Sequence, residues 1–535
     1  MLARAAPAGR HAAGLPFSET NAGAASGGFA LSSRSSRCYT VFMTEIQFDN
    51  TFAREMNGFY VPCAPESVPE PRWLQFNRML ALELGLNVEF CESDAGLAIF
   101  AGNRVPAGAA PLAQAYAGHQ FGHFSPQLGD GRAHLMGEVL DVRGHRRDLA
   151  WKGSGRTPFS RGGDGRAAIG PVLREYLMGE AMHALGIPTS RMLSAVATGE
   201  TVYRRHPLAG AILVRVASSH LRVGTFEFFA ARGENDHVKR LADYALRRHF
   251  PVLLEEENPY RAFLRGVMER QVELIAQWMR VGFVHGVMNT DNMAISGETI
   301  DFGPCAFMEM YHPETVYSSI DEQGRYAFAN QNKMALWNLA RLAEALHFLL
   351  DESPARAREI AADILGDFEG KFEARRLQLF RQKLGLLALG DEADDAQLID
   401  DYLTLLQKFK VDFTKGFRLL SSALRGNDVP LTQLFAGTRR PLQTWLSRWQ
   451  KRLAAQEGDA ALWADTMDEA NPQYIARNRL VEEALHDASE GGDMETFEKL
   501  LTIVRRPCVE QAVDERYSMP GTRIENESYQ TFCGT

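Results

Sequence analysis

Two short runs near the middle of the chain constrain its fold and chemistry more than any other feature. Residues 285–292 read His-Gly-Val-Met-Asn-Thr-Asp-Asn, and residues 300–303 read Ile-Asp-Phe-Gly. Asn292 and Asp301 carry amide and carboxylate oxygens of the hard type that Mg²⁺ prefers. The pattern therefore predicts a metal site made by Asn292 and Asp301. The alternative is that Asn292 only caps a loop and Asp301 only occupies a turn.

The same spacing resembles the catalytic loop and metal-binding turn of protein kinases, with one departure. In kinases an Asp two residues after the His accepts the proton of the attacking hydroxyl. Val287 takes that place here, and its apolar side chain accepts no proton. The nearest carboxylate is Asp291, which is predicted to be either the base for an incoming hydroxyl or a partner that orients metal-bound water. His285 is interpreted as a structural hydrogen-bonding residue.

The composition is that of a soluble globular protein. The chain has 535 residues, enough for two or more domain-sized units, and 45% of them are hydrophobic. The net charge of −9 argues against general nucleic-acid binding. The sequence has no run of about 18 or more apolar residues, so a membrane span is not expected. None of the six cysteines belongs to a C-x-x-C pair, so a zinc site is not expected. Six scattered thiols in a chain of this length indicate a reducing compartment.

The predicted elements are β-rich first and helix-rich afterwards, which predicts an α+β fold. They are a helix over 73–84, a hairpin over 133–152, a helix over 171–185, strands over 201–204 and 209–216, helices over 240–250 and 260–281, short strands over 293–295 and 299–300, and an almost wholly helical stretch over 331–504. Kinase lobes follow the same order. We therefore expect a two-lobed kinase-like fold with a β-rich N-lobe over 43–250 and a helical C-lobe with its helical extension over 251–515.

The two ends of the chain differ from the rest. Residues 1–42 contain four arginines and a single acidic residue, Glu19, a composition typical of an organelle-targeting segment. The alternatives are a disordered extension and an upstream start in place of Met43. Residues 516–535 are predicted to form a flexible tail that carries Cys533. An inert exposed thiol and a redox-active residue both remain open interpretations of Cys533.

A lysine on a strand and a glutamate on a helix predict a phosphate-binding pair. Lys152 ends the second strand of the predicted hairpin. A lysine that reaches phosphates from a strand needs a glutamate on a nearby helix to hold its ammonium group. Glu175 and Glu180 lie on the next helix, and Glu175 is the preferred partner because it falls in the first two turns. The alternative is a surface lysine.

Two copies of Gly-Asp-Gly-Arg, at 129–132 and 163–166, flank Lys152. Their glycines would let backbone N–H groups approach phosphate oxygens, and their arginines would add a bidentate clamp, although Asp-Gly is also a common turn signal. Arg215 lies inside an apolar strand, where an unpaired charge is costly, and Arg222 follows seven residues later. Arg215 is therefore predicted to face an anion, with a salt bridge from core to rim as the other interpretation.

Together with several longer stretches, these residues resemble the selenoprotein O family, kinase-like pseudokinases that transfer AMP to proteins. The resemblance extends from about Phe48 to the C terminus, and it is carried by residues 118–122, 127–132, 152–155, 161–166, 174–176, 215–220 and 285–293. It implies a kinase-like fold that binds ATP in an inverted orientation. The γ-phosphate would point into the pocket, and the α-phosphate would be presented to a protein hydroxyl.

The resemblance also implies roles for individual residues. Those that would contact the nucleotide are Gly129, Gly131, Arg132, Lys152, Asp164, Gly165, Arg215, Arg222 and Asp301. Asn292 and Asp301 would hold Mg²⁺, or Mn²⁺, and Asp291 would accept the proton. Eukaryotic members can carry selenocysteine third from the end, the place of Cys533 here. A disulfide from this tail to a thiol near the active site, with Cys305 as the candidate partner, would then gate activity.

The sequence therefore predicts an enzyme that transfers AMP from ATP to Ser, Thr or Tyr hydroxyls of proteins and releases pyrophosphate. Its expected partners are ATP and protein substrates, with neither nucleic acid nor membrane. One alternative is a kinase-type phosphotransferase that uses Asp291 as its base. The other is a non-catalytic nucleotide-binding scaffold, which Val287 favours. A bacterial cytoplasmic location is expected, or a mitochondrial one if residues 1–42 are a transit peptide.

Overall fold

An antiparallel sheet dominates the first half of the chain. The structure is a computed structural model that describes residues 45–388, 390–435 and 439–532, so the segment 1–42 and Cys533 lie outside the described residues. The strands are β1 Tyr60–Pro62, β2 Arg72–Phe76, β3 Leu112–Gln114, β4 Gly118–Gln120, β5 His123–Ser125, β6 Ala133–Leu140, β7 Arg146–Lys152, β8 Ala167–Ala168, β9 Arg191–Tyr203, β10 Pro207–Ala217, β11 Phe283–Val284 and β12 Ala306–Phe307.

The main sheet has the strand order β1-β3-β6-β7-β10-β9-β2, and β8 pairs with β10 beside it. The predicted hairpin is present as β6 and β7. In the antiparallel register of β7 and β10, Lys152 lies opposite Leu213 and Ala150 lies opposite Arg215. Side chains alternate between the two faces of a strand, so Lys152 and Arg215 project from the same face, one step apart on adjacent strands.

Helices make up most of the rest of the chain. They are α1 Thr51–Glu55, α2 Arg78–Glu83, α3 Val88–Glu92, α4 Asp94–Phe100, α5 Ile169–Ala184, α6 Val223–Ala230, α7 Asn235–His249, α8 Pro259–Val281, α9 Gln331–Leu350, α10 Pro354–Gly366, α11 Phe368–Lys383, α12 Glu392–Phe409, α13 Phe413–Leu424, α14 Val429–Leu434, α15 Arg439–Leu453, α16 Ala460–Ala470, α17 Asn478–His486, α18 Glu495–Val504 and α19 Arg523–Ser528. The β-rich N-terminal region and helical C-terminal region confirm the predicted α+β class.

The two faces of the sheet contribute to different cores. Leu149 and Trp151 of β7 pack with residues of α2–α4 on one face. Ala150 belongs to a larger core on the other face, which includes Leu173 and Leu177 of α5. Because Lys152 follows the same alternation as Ala150, it projects towards α5. Helix α5 therefore supplies the neighbours of Lys152.

The β11–β12 pair fixes both ends of the segment that contains the Asp-Phe-Gly motif. Phe283 and Phe307 belong to the larger core. Val284 and Ala306, the other residue of each strand, belong to a separate core built mainly by α11–α16. Since each strand is buried on both sides, the intervening loop starts and ends on a rigid base.

Three predicted elements differ from the observed ones. Residues 72–76 form a strand that pairs with β9, and the helix starts only after Asn77, whose side chain accepts a hydrogen bond from the Leu80 N–H. The second strand pair starts at Arg191 rather than 201, because most of β9 is buried on both faces and shows no alternation. The predicted strands at 293–295 and 299–300 are absent and are replaced by isolated bridges to Arg222 and Thr189.

The segment predicted as a flexible tail makes specific contacts in its described part, residues 516–532. It contains α19, and Thr531 pairs with Ser318 in a parallel bridge. The Thr531 hydroxyl also donates to the Pro304 carbonyl. This segment is therefore packed against the loop that follows Asp301. In the described part of the chain, no helix combines the length and the apolar character needed to cross a membrane.

Candidate functional site

One cavity of about 620 Å³ collects the residues that the sequence assigned to nucleotide and metal. It lies where β6, β7 and β10 meet the loops at 289–292 and 301–304. The predicted site residues that line it are Gly129, Gly131, Arg132, Lys152, Asp164, Gly165, Arg215, Arg222, Asp291, Asn292 and Asp301. Glu175 does not line this cavity and lies directly behind Lys152.

Four charged side chains form a closed cluster at the inner end of the cavity. The Lys152 ammonium group donates to Glu175 Oε2 at 2.6 Å and to Asp301 Oδ1 at 2.7 Å. The Arg215 guanidinium donates to Asp301 Oδ1 at 2.8 Å, and its Nε lies 3.1 Å from Glu175 Oε1. The contact predicted between Lys152 and Glu175 is thus present. Arg215 meets two carboxylates, but its buried Nη1 has no partner among the described residues.

Asp301 is held as a carboxylate in this cluster. Burial by itself would raise its pKa, but the charges of Arg215, Lys152 and Arg222 hold that pKa well below the usual range. Its backbone has φ +62°, a conformation that non-glycine residues seldom adopt. Asp301 Oδ1 accepts both cationic donors, whereas Oδ2 accepts no hydrogen bond from any described residue. One carboxylate oxygen is therefore available to a ligand.

Asn292 and its loop are held by backbone contacts. The Asn292 amide donates to the Val287 carbonyl at 3.0 Å, which leaves its oxygen as the free end of the side chain. His285 is buried, and its Nε2 lies 2.9 Å from the Ile300 carbonyl oxygen. His285 thus ties the loop to the residue before Asp301, as its structural interpretation predicted. Burial lowers the pKa of His285, which favours the neutral ring.

The donor set fits a metal only together with a phosphate ligand. Among the described residues, no three His, Cys, Asp or Glu side chains come together in a way that would hold an ion. Asn292 and Asp301 offer one free oxygen each. Mg²⁺ is usually bound by one or two protein carboxylates together with waters and substrate phosphates. These two residues therefore fit Mg²⁺ bound with a nucleotide polyphosphate and do not fit a metal held by protein alone.

Asp291 lies in a different environment from Asp301. Burial raises its pKa to about 6, and nearby Arg222 offsets only part of that effect. Gln120 Nε2 lies 3.4 Å from Asp291 Oδ2, a weak hydrogen bond, and buried Oδ1 has no partner in the described structure. Such a carboxylate accepts a proton near neutral pH, which is what general-base catalysis needs.

Arg222 is buried at the start of α6 and stacks on an aromatic ring. Its guanidinium carbon lies 4.2 Å from the centroid of the Tyr116 ring, and its Nε donates to the His220 carbonyl at 3.2 Å. Among the described residues Arg222 makes no ion pair, although it lies close enough to Asp291 and Asp301 to affect both pKa values. A buried guanidinium in this position attracts an anionic ligand.

The first Gly-Asp-Gly-Arg turn does not present its N–H groups to the cavity. The N–H groups of Gly129, Asp130 and Gly131 donate to Tyr116, Gln114 and Gly129 carbonyls at 2.9–3.0 Å. A Cβ at position 129 would lie 2.2 Å from the Phe159 ring, so glycine is needed here for packing. In this structure these N–H groups are therefore already bonded within the protein, and their predicted contact with phosphate stays a prediction. The side chain of Arg132 is the part of this turn that remains for an anion.

The second turn is arranged differently. Asp164 pairs with Arg204 at 2.7 Å, and this hydrogen bond lowers the pKa of Asp164. Gly165 has φ +68°, and a Cβ there would lie 2.0 Å from the Gly155 carbonyl oxygen. Within the described residues, the N–H groups of Asp164 and Gly165 donate to no protein acceptor. This copy keeps the donors that a phosphate would use.

The cavity is cationic although the chain as a whole is acidic. Seven cationic side chains and four carboxylates line it, namely Arg132, Lys152, Arg161, Arg166, Arg204, Arg215 and Arg222 against Asp130, Asp164, Asp291 and Asp301. The whole chain carries a net charge of −9. A local excess of cations in an acidic protein favours a polyanionic ligand.

Sequence reasoning missed the hairpin formed by β4 and β5. Its turn, Phe121-Gly122, has φ +51° and +86°, and its residues contact the loop at 289–291. Gln120, the residue before the turn, is the one that contacts Asp291. The stretch 118–122 carries part of the family resemblance, but its residue types indicate no chemical role. The only local signal was glycine at both ends.

The described structure does not support the predicted disulfide between Cys533 and Cys305. Cys305 is fully buried, and burial raises the pKa of its thiol to about 12, which disfavours the reactive thiolate. Cys533 lies outside the described residues. Cys63, Cys91 and Cys508 are also free thiols. The described residues therefore contain no disulfide that could gate the site.

Comparison with known proteins agrees with the geometry. A family model described as protein adenylyltransferase SelO matches residues 42–505. A protein nucleotidyltransferase YdiU from Cereibacter sphaeroides is 55% identical over 490 residues, which cover 91% of this chain and 99% of the relative. The corresponding protein from Rhizobium meliloti is 52% identical over 495 residues, which cover 92% of this chain and 100% of the relative. The resemblance inferred from the motifs is confirmed, and the chain belongs to the SelO family of protein adenylyltransferases.

Proposed function

We propose that this protein transfers AMP from ATP to the hydroxyl groups of Ser, Thr or Tyr residues of proteins and releases pyrophosphate. The SelO family to which it belongs consists of protein nucleotidyltransferases. The single observation that carries the finer proposal is the cationic cavity with two carboxylates in opposite electrostatic environments, Asp291 and Asp301. One is suited to accept a proton, and the other is suited to hold a metal-bound polyphosphate.

The fold that we propose around this cavity is a two-lobed kinase-like one. Residues 43–250, which carry the main sheet and α5, would form the N-lobe, and residues 251–515 would form the helical C-lobe and its extension. The cluster of Lys152, Glu175 and Asp301 supports this arrangement, because kinases join a strand lysine, a helix glutamate and the Asp of Asp-Phe-Gly in the same way. We also propose a cytoplasmic location, as expected for relatives from bacteria.

The position of the cations favours an inverted nucleotide. Lys152 and Arg215 are largely buried and lie at the inner end of the cavity. A polyphosphate gains most from cations that water does not screen, so the β- and γ-phosphates would lie inside and the less charged adenosine outside. Arg132 and the free N–H groups at 164–165 would add donors. The α-phosphate would then face Asp291 and the cavity mouth.

Our proposed reaction uses Asp291 as the base. The acceptor oxygen attacks the α-phosphorus while Asp291 Oδ1 or Oδ2 takes its proton. The bond from the α-phosphorus to the bridging oxygen breaks, and its electron pair leaves with pyrophosphate. Lys152, Arg215 and Arg222 would stabilise the negative charge that develops on the leaving group. Asn292 and Asp301 would hold Mg²⁺ or Mn²⁺, which supplies further charge neutralisation at the phosphate oxygens when bound.

Two parallel reactions test this proposal. A soluble protein extract is incubated with the enzyme, Mg²⁺ and ATP labelled either at the α-phosphate or at the γ-phosphate. Label on protein from the α position only, lost with Asp301→Ala, is the expected result. Asp291→Asn should reduce the rate by roughly 10²–10⁴-fold while ATP still binds. The matched control is Asp351→Asn, which removes a partly exposed ion pair with Arg261 outside the cavity and keeps an oxygen for the Ser353 N–H.

The other outcomes have definite meanings. Label from the γ position only would establish a kinase and refute the inverted nucleotide. ATP binding without protein label from either position, and without any effect of Asp291→Asn, would indicate a nucleotide-binding scaffold.

A further inference from the structure

The hairpin of β4 and β5 is attached to the loop that carries the proposed base. The contacts are His119 N–H to Thr290 Oγ1 at 2.7 Å, Phe121 N–H to Asn289 Oδ1 at 3.0 Å, and Gln120 Nε2 to Asp291 Oδ2 at 3.4 Å. A Cβ at Gly118 would lie 2.4 Å from Asp291 Oδ1, so the hairpin backbone is packed directly against that carboxylate. The hairpin is thus one wall of the space in which an acceptor hydroxyl must meet Asp291.

The turn of the hairpin is fixed in a conformation that costs free energy. Phe121 has φ +51°, unusual for a bulky residue, and its ring packs on Tyr326 with centroids 5.1 Å apart. The Tyr326 hydroxyl donates to Asn289 Oδ1 at 2.7 Å, so the turn and the loop share one anchor. Beyond the turn, Phe124 is 40% exposed. The hairpin that contacts the proposed base therefore also presents an aromatic side chain to solvent, on the strand that follows its turn.

Arginine side chains border the same hairpin. The Arg325 guanidinium lies 3.5 Å from the position of a Cβ at Gly122 and 4.7 Å from the centroid of the Trp337 ring. Arg341 lies 4.8 Å from that centroid, and Trp337 packs on the His119 ring at 5.2 Å. Arg341 pairs with Glu344 at 2.6 Å. Arg325 makes no ion pair with any described residue, and its buried Nε has no hydrogen-bond partner among them. The hairpin rim therefore carries at least one cation that no protein carboxylate neutralises.

A further arginine lies where the second strand of the hairpin ends. Arg232 donates to the Pro126 carbonyl at 3.0 Å and stacks on the Phe228 ring at 3.5 Å. Its side chain is exposed, and its hydrogen bonds within the described residues go to the carbonyl oxygens of Phe228 and Pro126 rather than to a carboxylate. The free cations Arg232 and Arg325 thus flank the hairpin in a protein of net charge −9.

We propose that this hairpin rim, defined by Phe124, Arg232 and Arg325, docks an acidic segment of the protein whose hydroxyl is modified. The inference rests on the proposed function, because it assigns the substrate class of the same site. The cations deep in the cavity are matched to ATP, whereas Arg325 lies against Gly122 in the hairpin turn, whose other residue, Phe121, lines the cavity. The charge of the rim arginines selects carboxylates near the acceptor hydroxyl, and Phe124 and Trp337 add apolar contact area.

The direct test uses the unmodified enzyme and three peptides with one central hydroxyl residue, flanked by acidic, neutral or basic residues. Transfer from α-labelled ATP is measured at increasing peptide concentration. The acidic peptide should have a KM roughly threefold to tenfold below that of the neutral one, and this advantage should shrink as salt rises. Equal KM values for all three peptides, or a preference for the basic one, would overturn the proposal.

Charge reversal tests the same surface by mutation. Arg325→Glu and Arg232→Glu should each raise KM for the acidic peptide while KM for ATP is unchanged. The same variants should have a lower KM for the basic peptide than the unmodified enzyme has. Arg356→Glu, on the exposed face of α10, is the control and should change neither KM. If Arg325→Glu does not fold, the exposed Arg232→Glu carries the test. Unchanged peptide KM in both variants would refute the proposal.

These results separate the two levels of inference. Failure to label any peptide or extract protein from α-labelled ATP refutes the proposed function. Labelling that occurs without charge preference refutes only the docking surface.

Discussion

Asp291 and Asp301 line the same cavity, yet their pKa values are displaced in opposite directions. The pKa of Asp301 lies well below the usual range because three cations outweigh its burial. Asp291 is also buried but accepts only one long hydrogen bond, and its pKa rises to about 6. Titratable groups whose environments push their pKa values apart commonly take different catalytic roles. This difference between two residues is the physical basis for assigning one to the metal and the other to the proton.

A glycine in the second Gly-Asp-Gly turn gives a prediction at the same scale. Gly165→Ala places a Cβ 2.0 Å from a backbone carbonyl oxygen and should raise KM for ATP at least about tenfold, because the turn must move.

Gly144→Ala is the matched control, since Gly144 has φ +79° and nothing within 4 Å of its Cβ position. It should cost about 1–2 kcal/mol of stability and leave KM unchanged. Steady-state kinetics and urea denaturation measure both effects, and equal KM values for the two variants would contradict the assignment.

The residues of the site were largely predictable because their types and order are distinctive. Lys152, Asn292 and Asp301 could be found from motif spacing alone. The Lys152–Glu175 contact followed from helix position, although the contact between Arg215 and both carboxylates required the register of β7 and β10. The pair Asp164–Arg204 joins residues 40 apart and gave no local signal. Gln120 was missed because a glutamine in a turn indicates no chemistry until its neighbour is known.

At the scale of elements, a buried ion pair holds the helices of the C-terminal region. Asp412 caps α13 by accepting the Lys415 N–H at 2.7 Å, and it also accepts two hydrogen bonds from Arg477, just before α17. Both side chains are only 1% exposed. Asp412→Asn would leave a buried guanidinium with weaker partners. We expect it to lower the free energy of unfolding by about 3–5 kcal/mol in urea denaturation.

Asp367→Asn is the matched control for that variant. Asp367 also precedes a helix, α11, but it makes no capping hydrogen bond, and its pair with Arg265 spans 4.0 Å with both side chains about half exposed. Its loss should change the free energy of unfolding by no more than about 0.5 kcal/mol. A similar loss in both variants would mean that burial of the Asp412 pair contributes little.

Elements were predictable where one physical signal dominated. The hairpin over 133–152 and the helix beginning near residue 171 had clear turn and stop residues, and both are present. Strand β9 was largely missed because a strand buried on both faces loses its alternation. Residues 293–295 and 299–300 are buried and mostly apolar, but the N–H groups of Ile295 and Thr299 bond to the Leu221 and Pro188 carbonyls instead of to a strand. In β9 and in residues 293–300, contacts with distant parts of the chain therefore determine the backbone structure more than the local sequence pattern does.

At the scale of the whole molecule, the C-terminal segment contacts the neighbourhood of the candidate site. Arg174, beside Glu175 on α5, donates to the Tyr529 hydroxyl at 3.2 Å. Thr531 is bonded to Pro304 and Tyr317, in the loop after Asp301. Residues more than 200 positions apart in sequence thus contact one another. Helix α5, which carries Glu175, thus contacts the far end of the chain, an arrangement that no local sequence pattern could reveal.

Buried histidines make the stability of the whole fold depend on pH. Burial lowers the pKa of His134 to about 4, from a model-peptide value near 6.5. Below pH 6.5 the unfolded chain therefore binds a proton that the folded chain does not, so His134 destabilises the fold progressively as pH falls to about 4. Buried Asp291 acts in the opposite sense, because its raised pKa favours the folded, protonated form below about pH 6. The net slope alone thus cannot identify His134.

A comparison with His134→Gln isolates that contribution. The variant removes the titrating ring while leaving an amide that can still bond to Ser154, whose hydroxyl lies 2.7 Å from His134 Nδ1. We expect the free energy of unfolding of the native protein to fall relative to the variant between pH 6.5 and 4.5, by up to about 3 kcal/mol. Urea denaturation of both proteins across this range provides the measurement. Parallel stability curves would mean that His134 is protonated as readily in the folded protein as in the unfolded chain.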